Sequence, residues 1–415
     1  MDTKRLDNRF DMFKVLIRTV CGLTVFTALL LTANAPVLAT QSVFLDFDTR
    51  TGESEHDYTT SERDQIQALM EADYAAFDFS FSQTSPGGTF STLFINGDPL
   101  GGGLGTADDI DFRNLNMADN AEINVNGTAS TDAEFVTLTA NRSSRELGHL
   151  VGLRPGDSYG PIGSGIDLNS TTAATFAPTY PGPTLADETA MHIMESDNTG
   201  TPELTTDQFF SERSAVKLEF NESGTIFVEE AGAHGTPGTA QAITLNRIVV
   251  PNTITTGDNS SAPAFFADAV VITGSISGGE TDFYSFTGSA GDLFNFEIYS
   301  SNGTNRLEGS IDSQILIFNE NEGFIVSNND TSNSNLDSII IDLILPGTGT
   351  GTFFLAINDF PGTGVGEYEL LVFSHETAPE PSSLILLGAG LTGMAVRRWR
   401  KRKREALSAE GDAVE

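Results

Sequence analysis

Between residues 269 and 374 the chain consists almost wholly of short apolar runs that no arrangement of long helices satisfies. The runs are AVVITGSI (269–276), DFYSFTG (282–288), DLFNFEIYS (292–300), QILIFN (314–319), GFIVSN (323–328), SIIIDLIL (338–345), TFFLAIN (352–358) and YELLVFS (368–374). Each is rich in β-branched or aromatic residues and is closed by Gly, Asn or Asp, the chemistry of strands and turns. With no helical period across them, the stretch predicts an all-β sandwich over 242–376. QILIFNENEGFIVSNND reads as a hairpin turning near Asn321, Glu322 and Gly323.

Residues 41–230 have a different texture. Val43–Phe47 alternates as a strand, and Ser61 with Asp64 forms a capping-box pattern opening a helix whose face carries Ile66, Leu69, Met70, Tyr74 and Phe77. Phe79 and Phe81 mark a second strand, and INVNG (123–127) a third after the glycine-rich stretch Gly101–Gly103. From Phe135 to Leu150 no strong breaker intervenes, which predicts a second helix ending at Gly152. The layout is α+β or α/β, of a size that one domain fills. A small, glycine-rich stretch at 231–241 reads as a linker to the sandwich.

The two ends carry addresses. Lys4, Arg5, Arg9, Lys14 and Arg18 precede an apolar run from Val20 to Leu31, and small residues around Ala39 follow. This is the layout of a secretory signal peptide over 1–39. The single cysteine, Cys21, lies inside it, so a chain without that peptide has no thiol chemistry. Of the 22 basic residues, five precede residue 40 and seven lie at 397–404, which leaves ten to face 50 of the 57 acids. Such a surface repels nucleic acid and anionic lipid.

At the other end, PEPSSLILLGAGLTGMAVRRWRKRKR (379–404) sets Pro379, Glu380 and Pro381 before an apolar run at 384–396 and a basic cluster, followed by a tail at 405–415. The apolar run is shorter than the ~20 residues of a simple transmembrane helix. This order resembles the PEP-CTERM sorting signal of exported bacterial proteins. The resemblance implies a C-terminal sorting helix, transient anchoring in the inner membrane through 384–396, and the export machinery and a sorting enzyme as partners. Its destination would be the cell envelope, the extracellular space or an exopolysaccharide matrix.

Two further resemblances concern the folded regions. ETDFYSFTGSAGDLFNFEIYS, ILIFNENEGFIVSNNDTSNSNLDS and GTFFLAINDFPGTGVGEYELLVF are similar to the bacterial pre-peptidase C-terminal domain, a β-sandwich attached to secreted proteases. In that module Asn328, Asn329, Asp330 and Asp337 form a loop with calcium-binding chemistry, which turn formation explains equally. RELGHLVGLRP (145–155), MHIMES (191–196) and FFSERSAVKLEF resemble a secreted bacterial metzincin-like metalloprotease. That family's zinc helix carries His at i and i+4, a general-base Glu between them, a Gly at the turn and a third His beyond it. The resemblance implies a general-base position at Glu146, a metal ligand at His149, a turn at Gly152 and a methionine turn at Met194. Arg145 and Pro155 stand where the first and third ligands belong. Arginine is permanently cationic and proline has no donor atom. Asp157 and His192 are the nearest substitutes for zinc, and Arg145 one turn before His149 is placed to stand in for the metal's charge beside Glu146.

Three readings follow. The first is an exported pseudoprotease that binds peptides or surface polymers. The second is a secreted zinc metalloendopeptidase with non-standard ligands. The third is a structural or adhesive component of an exopolysaccharide matrix. His56, His234 and His375 are scattered and read as surface residues.

Overall fold

The computed structural model describes residues 41–48, 52, 54–165, 189–195, 202–229, 234–251, 264–330 and 336–375. The expected signal peptide and the sorting segment with Pro379, Glu380 and Pro381 lie outside the described residues, as does the tail at 405–415. Strand β1 (Gln41–Asp46) alternates buried and half-buried residues, with Val43 and Leu45 inward. Helix α1 (Thr60–Asp73) follows, and its cap differs from the expected one. Thr59, not Ser61, is the N-cap: its hydroxyl accepts the Glu62 amide while the Glu62 carboxylate accepts the Thr59 amide at 2.6 Å. Ile66, Met70 and Tyr74 form its buried face.

Strands β2 (Phe79–Ser82), β3 (Ser91–Ile95), β4 (Gly105–Ala107) and β5 (Asn120–Ile123) complete a sheet of order β2-β1-β3-β5-β4. All its pairings are parallel except β4 with β5, which leaves β4 as an antiparallel edge. The strand expected at 123–127 ends where it was to begin. Beyond Ile123, the Asn124 and Asn126 side chains bond the Gly97 carbonyl and the His56 amide, which turns the chain out of the ladder.

Helix α2 (Asp132–Leu150) starts three residues before Phe135, because Thr131 and Glu134 form a second capping box. Its last two turns are buried almost all round. Asn141 in its middle donates to the carbonyls of Glu203 and Thr206 and so holds the short helix α3 (Pro202–Thr205). Helix α4 (Glu212–Ser223), capped by Ser211, buries Ala215, Val216, Leu218 and Phe220.

The remaining strands are β6 (Ile226–Val228), β7 (Gln241–Ala242), β8 (Asn246–Val250), β9 (Phe265–Ile276), β10 (Thr281–Ser289), β11 (Leu293–Ser300), β12 (Gly309–Ser310), β13 (Ser313–Phe318), β14 (Phe324–Asn328), β15 (Ile339–Ile344), β16 (Thr350–Asp359) and β17 (Val365–His375). They form two sheets, β14-β13-β16-β10-β7 and β15-β11-β17-β9-β6, with β8 added to β9 and β12 to β17. Between the sheets, Phe286, Phe296, Ile298, Phe353 and Leu370 make a closed apolar core. This β-rich arrangement matches a sandwich, and the eight apolar runs correspond to its principal strands.

The sandwich also packs outward. Along β11 the inward residues Phe294, Phe296 and Ile298 alternate with Asn295, Glu297 and Tyr299 on the other face, yet the whole strand is buried. Tyr299, Ile248, Val250, Ala269, Val271 and Phe373 belong to the same apolar cluster as Val43, Leu93 and Leu147 of the first region. One face of the sandwich therefore closes the core of the α/β layer.

Candidate functional site

The RELGHLVGLRP motif spans the end of α2 and the turn that follows it, with Glu146 against the edge strand β4. Glu146 is 2% exposed and packs so closely on β4 that a methyl group on Gly105 would lie 2.6 Å from its Cγ. Arg145 donates from Nη1 to Glu146 Oε1 at 2.9 Å and from Nε to the Glu195 carbonyl at 3.1 Å. His149 is buried, its Nδ1 2.8 Å from the Leu153 carbonyl. Gly152 has φ +92°, and a Cβ there would fall 2.3 Å from Phe112 Cα, so this tight turn admits only glycine. Met194 lies beneath: its sulfur would touch a Cβ on Gly148 at 2.7 Å. The fold thus gathers Arg145, Glu146, His149, Gly152 and Met194.

The other expected residues are engaged elsewhere. Pro155 is exposed at the start of a 3₁₀ turn (Pro155–Ser158). Asp157 is buried and bound to Lys217 Nζ at 2.8 Å and to the Arg154 amide at 2.7 Å. Burial pushes its carboxyl up, against the pull of Lys217. His192 places Nδ1 2.7 Å from the Ser158 carbonyl and packs edge-on to Phe209. Among the described residues, His149 belongs to no trio of His, Asp or Glu side chains near enough to share an ion.

A set of buried ion pairs lies at the contact between the two regions. Arg154, buried, donates to Asp337 at 2.6 Å and to the Ile298 carbonyl at 2.7 Å, and lies 3.8 Å over the Tyr299 ring. Burial works against its charge, but Asp337 raises the guanidinium above its ordinary value. Lys217 bridges Asp157 and Glu297, the latter at 2.6 Å. Arg213 reaches Asp342 at 2.6 Å and Asn295 at 2.8 Å. On the other flank, Arg306 joins Asp111 at 2.9 Å and Glu369 at 2.7 Å, and Arg113 also reaches Glu369. Five of the ten cations between residues 40 and 396 are spent here. Asn295 and Glu297 inside the run DLFNFEIYS were the available signal: polar residues at a spacing of two within an apolar strand that is covered on both sides.

Two other expectations change. His234 is not a surface residue: it is 6% exposed and 3.0 Å from Glu229, because the chain after β6 folds back onto β10. His56 stacks on Phe135 at 3.9 Å and bonds Glu62, so it is half-buried rather than free on a loop. His375, at the end of β17, is half-buried against Phe265. In the expected calcium loop, Asp337 is fully buried against Arg154 and Ser300, and the Asn328 side chain accepts from the Ile339 amide.

Comparison with solved structures yields similarity to periplasmic lysozyme inhibitors of g-type lysozyme. PliG of Aeromonas hydrophila is 17% identical over 26% of this chain and 86% of its own, with a TM-score of 0.19. PliG of Salmonella Typhimurium is 14% identical over the same shares, 26% and 86%, with a TM-score of 0.17. None of the curated proteins matches the chain. At the C-terminus, residues 377–402 match the PEP-CTERM protein-sorting motif. The chain carries a signal read by a sorting enzyme of the export pathway, and the protein is exported and sorted to the cell surface.

Proposed function

We propose that this exported protein is a metzincin relative that has lost its zinc site and binds extended peptides at the cell surface without cutting them. The observation that carries the reading is the Arg145–Glu146 ion pair at 2.9 Å, side-chain exposure 13% and 2%, on the turn that also holds His149 and Met194. Zinc needs three protein donors with an open fourth position. The residues present do not fit it: a guanidinium stands at the first ligand position, a proline at the third, and Asp157 and His192 have other partners. Arg145 holds the charge of Glu146, which keeps that carboxylate from serving as a free base.

What remains is a recognition surface. β4 is the terminal strand of its sheet and runs directly over Glu146. An extended peptide adding to such an edge gains backbone hydrogen bonds, and Arg145 offers a cation to an acidic side chain or a carboxyl terminus. The β-rich region, whose strand sequences resemble a pre-peptidase C-terminal module, shares an apolar cluster with this layer and supports it. Fluorescence anisotropy with labelled extended peptides tests the reading. Binding by the wild type that is lost in Arg145→Glu, with an unchanged circular dichroism spectrum, supports it. Binding only to an exopolysaccharide, or intact peptide binding in the variant, overturns it.

A further inference from the structure

We propose that Glu229, His234 and Asp282 form a binding site for a divalent cation of the zinc class, at the edge of the sandwich and remote in sequence from the His149 turn. Their ligand atoms lie within 4.8 Å of one another. Glu229, just after β6, is tied in place by its amide to the Thr273 carbonyl, and its Oε2 accepts the Ser275 amide at 2.8 Å. Asp282, in β10, is 1% exposed and accepts the Tyr368 hydroxyl at 3.0 Å. His234 is held by its carbonyl, which accepts the Phe283 amide at 2.9 Å.

The imidazole supplies the second observation. Its Nε2 is 3.0 Å from Glu229 Oε1, while its buried Nδ1 has no hydrogen-bond partner and points at Asp282 Oδ1 from 3.8 Å. That gap is too wide for a hydrogen bond. It is near the ~3.4 Å that separates two donors on one tetrahedral ion with bonds of about 2.05 Å. A cation held between Nδ1 and Asp282 Oδ1, with Glu229 orienting the ring through Nε2, gives the orphaned ring nitrogen a partner.

Charge points the same way. Among the described residues neither carboxylate has an Arg or Lys partner, and a doubly charged cation neutralises both. An imidazole with two carboxylates suits zinc better than calcium, which prefers all-oxygen shells. Gly274 leaves the room: a Cβ there would lie 2.5 Å from the Tyr368 hydroxyl and 2.7 Å from Glu229 Oε2. Glu229 keeps 17% of its side chain exposed, which gives an ion its way in.

The test is isothermal titration of zinc into the exported chain, with a thermal melt alongside. The wild type is expected to bind one equivalent and to melt higher with zinc. His234→Ala and Asp282→Asn are expected to weaken binding by more than about 100-fold, beyond the loss typical of an outer-shell change. His149→Ala and His56→Ala are expected to keep it. Asp282→Asn is nearly isosteric, so it holds the test open if His234→Ala fails to fold. Zinc binding that survives both site variants overturns the proposal, as does binding lost in His149→Ala alone or an affinity for calcium indifferent to His234. Because the site lies outside the His149 turn, its failure leaves the peptide-binding reading standing, and the reverse also holds.

Discussion

Removing Arg154 isolates the contribution of the buried ion pairs that join the two regions. In Arg154→Met the apolar stem is kept, while the bonds to Asp337 (2.6 Å) and the Ile298 carbonyl (2.7 Å) and the stacking over Tyr299 are lost. Asp337 is 0% exposed and keeps its contacts to the Ser300 amide and hydroxyl but loses the guanidinium beside it. Breaking one partner of a buried pair costs about 3–5 kcal/mol. The lost cation–π contact adds up to about 2 kcal/mol, although these contributions are not independent. The expected loss is therefore about 4–5 kcal/mol, a large share of a domain's ordinary stability of about 5–15 kcal/mol.

The assay is urea unfolding followed by far-ultraviolet circular dichroism. At neutral pH the loss is expected in full. Burial already raises the Asp337 carboxyl above its usual value, and removing Arg154 raises it further. A carboxyl whose folded value lies above its unfolded value binds protons more tightly in the folded state. The variant should therefore regain stability as pH falls through that raised value toward the unfolded carboxylate value of about 3.9. The double variant Arg154→Met with Asp337→Asn should recover much of the loss, since no buried charge is left alone. A single-variant loss under about 1 kcal/mol, or a double variant worse than the single, refutes the argument that this contact is buried and charged as described.

Other expectations are narrower. Gly152→Ala should destabilise by more than about 2 kcal/mol, because it adds a left-handed backbone penalty to a clash with Phe112; a change of Tm measures it. The Asp119 carboxyl is pushed up to about 6 by burial and then by Asp111, Asp109 and Asp108. Its folded value exceeds the unfolded one, so stability from this group rises as pH falls from about 7 toward 4. Asp119→Asn should raise Tm at pH 7 and flatten that limb of the pH profile. Arg145→Ala should cost about 1–3 kcal/mol by uncovering the buried Glu146 carboxylate, read from the urea midpoint.

The strands of the sandwich were legible because each apolar run is short and ends at turn residues. The helices were legible from their periodic faces, with boundaries displaced by capping boxes at Thr59 and Thr131 that lie outside the apolar pattern. The contact between the regions was not legible. It depends on Arg154, Arg213 and Lys217 meeting Asp337, Asp342 and Glu297, partners far apart in the chain whose charges read singly as surface. The same holds for His234, which only the return of the chain onto β10 brings to Asp282. Around His149 the sequence pattern located Arg145, Glu146, Gly152 and Met194 together. It did not reveal that Asp157 and His192 serve the turn after α2, since both residue types also suit a metal.

The reading of the Arg145 turn rests most directly on hydrolysis. Purified exported chain is incubated with casein in added zinc, beside Glu146→Ala. No cleavage above background by either protein is the expected result. Cleavage by the wild type that a chelator stops and Glu146→Ala abolishes would contradict it.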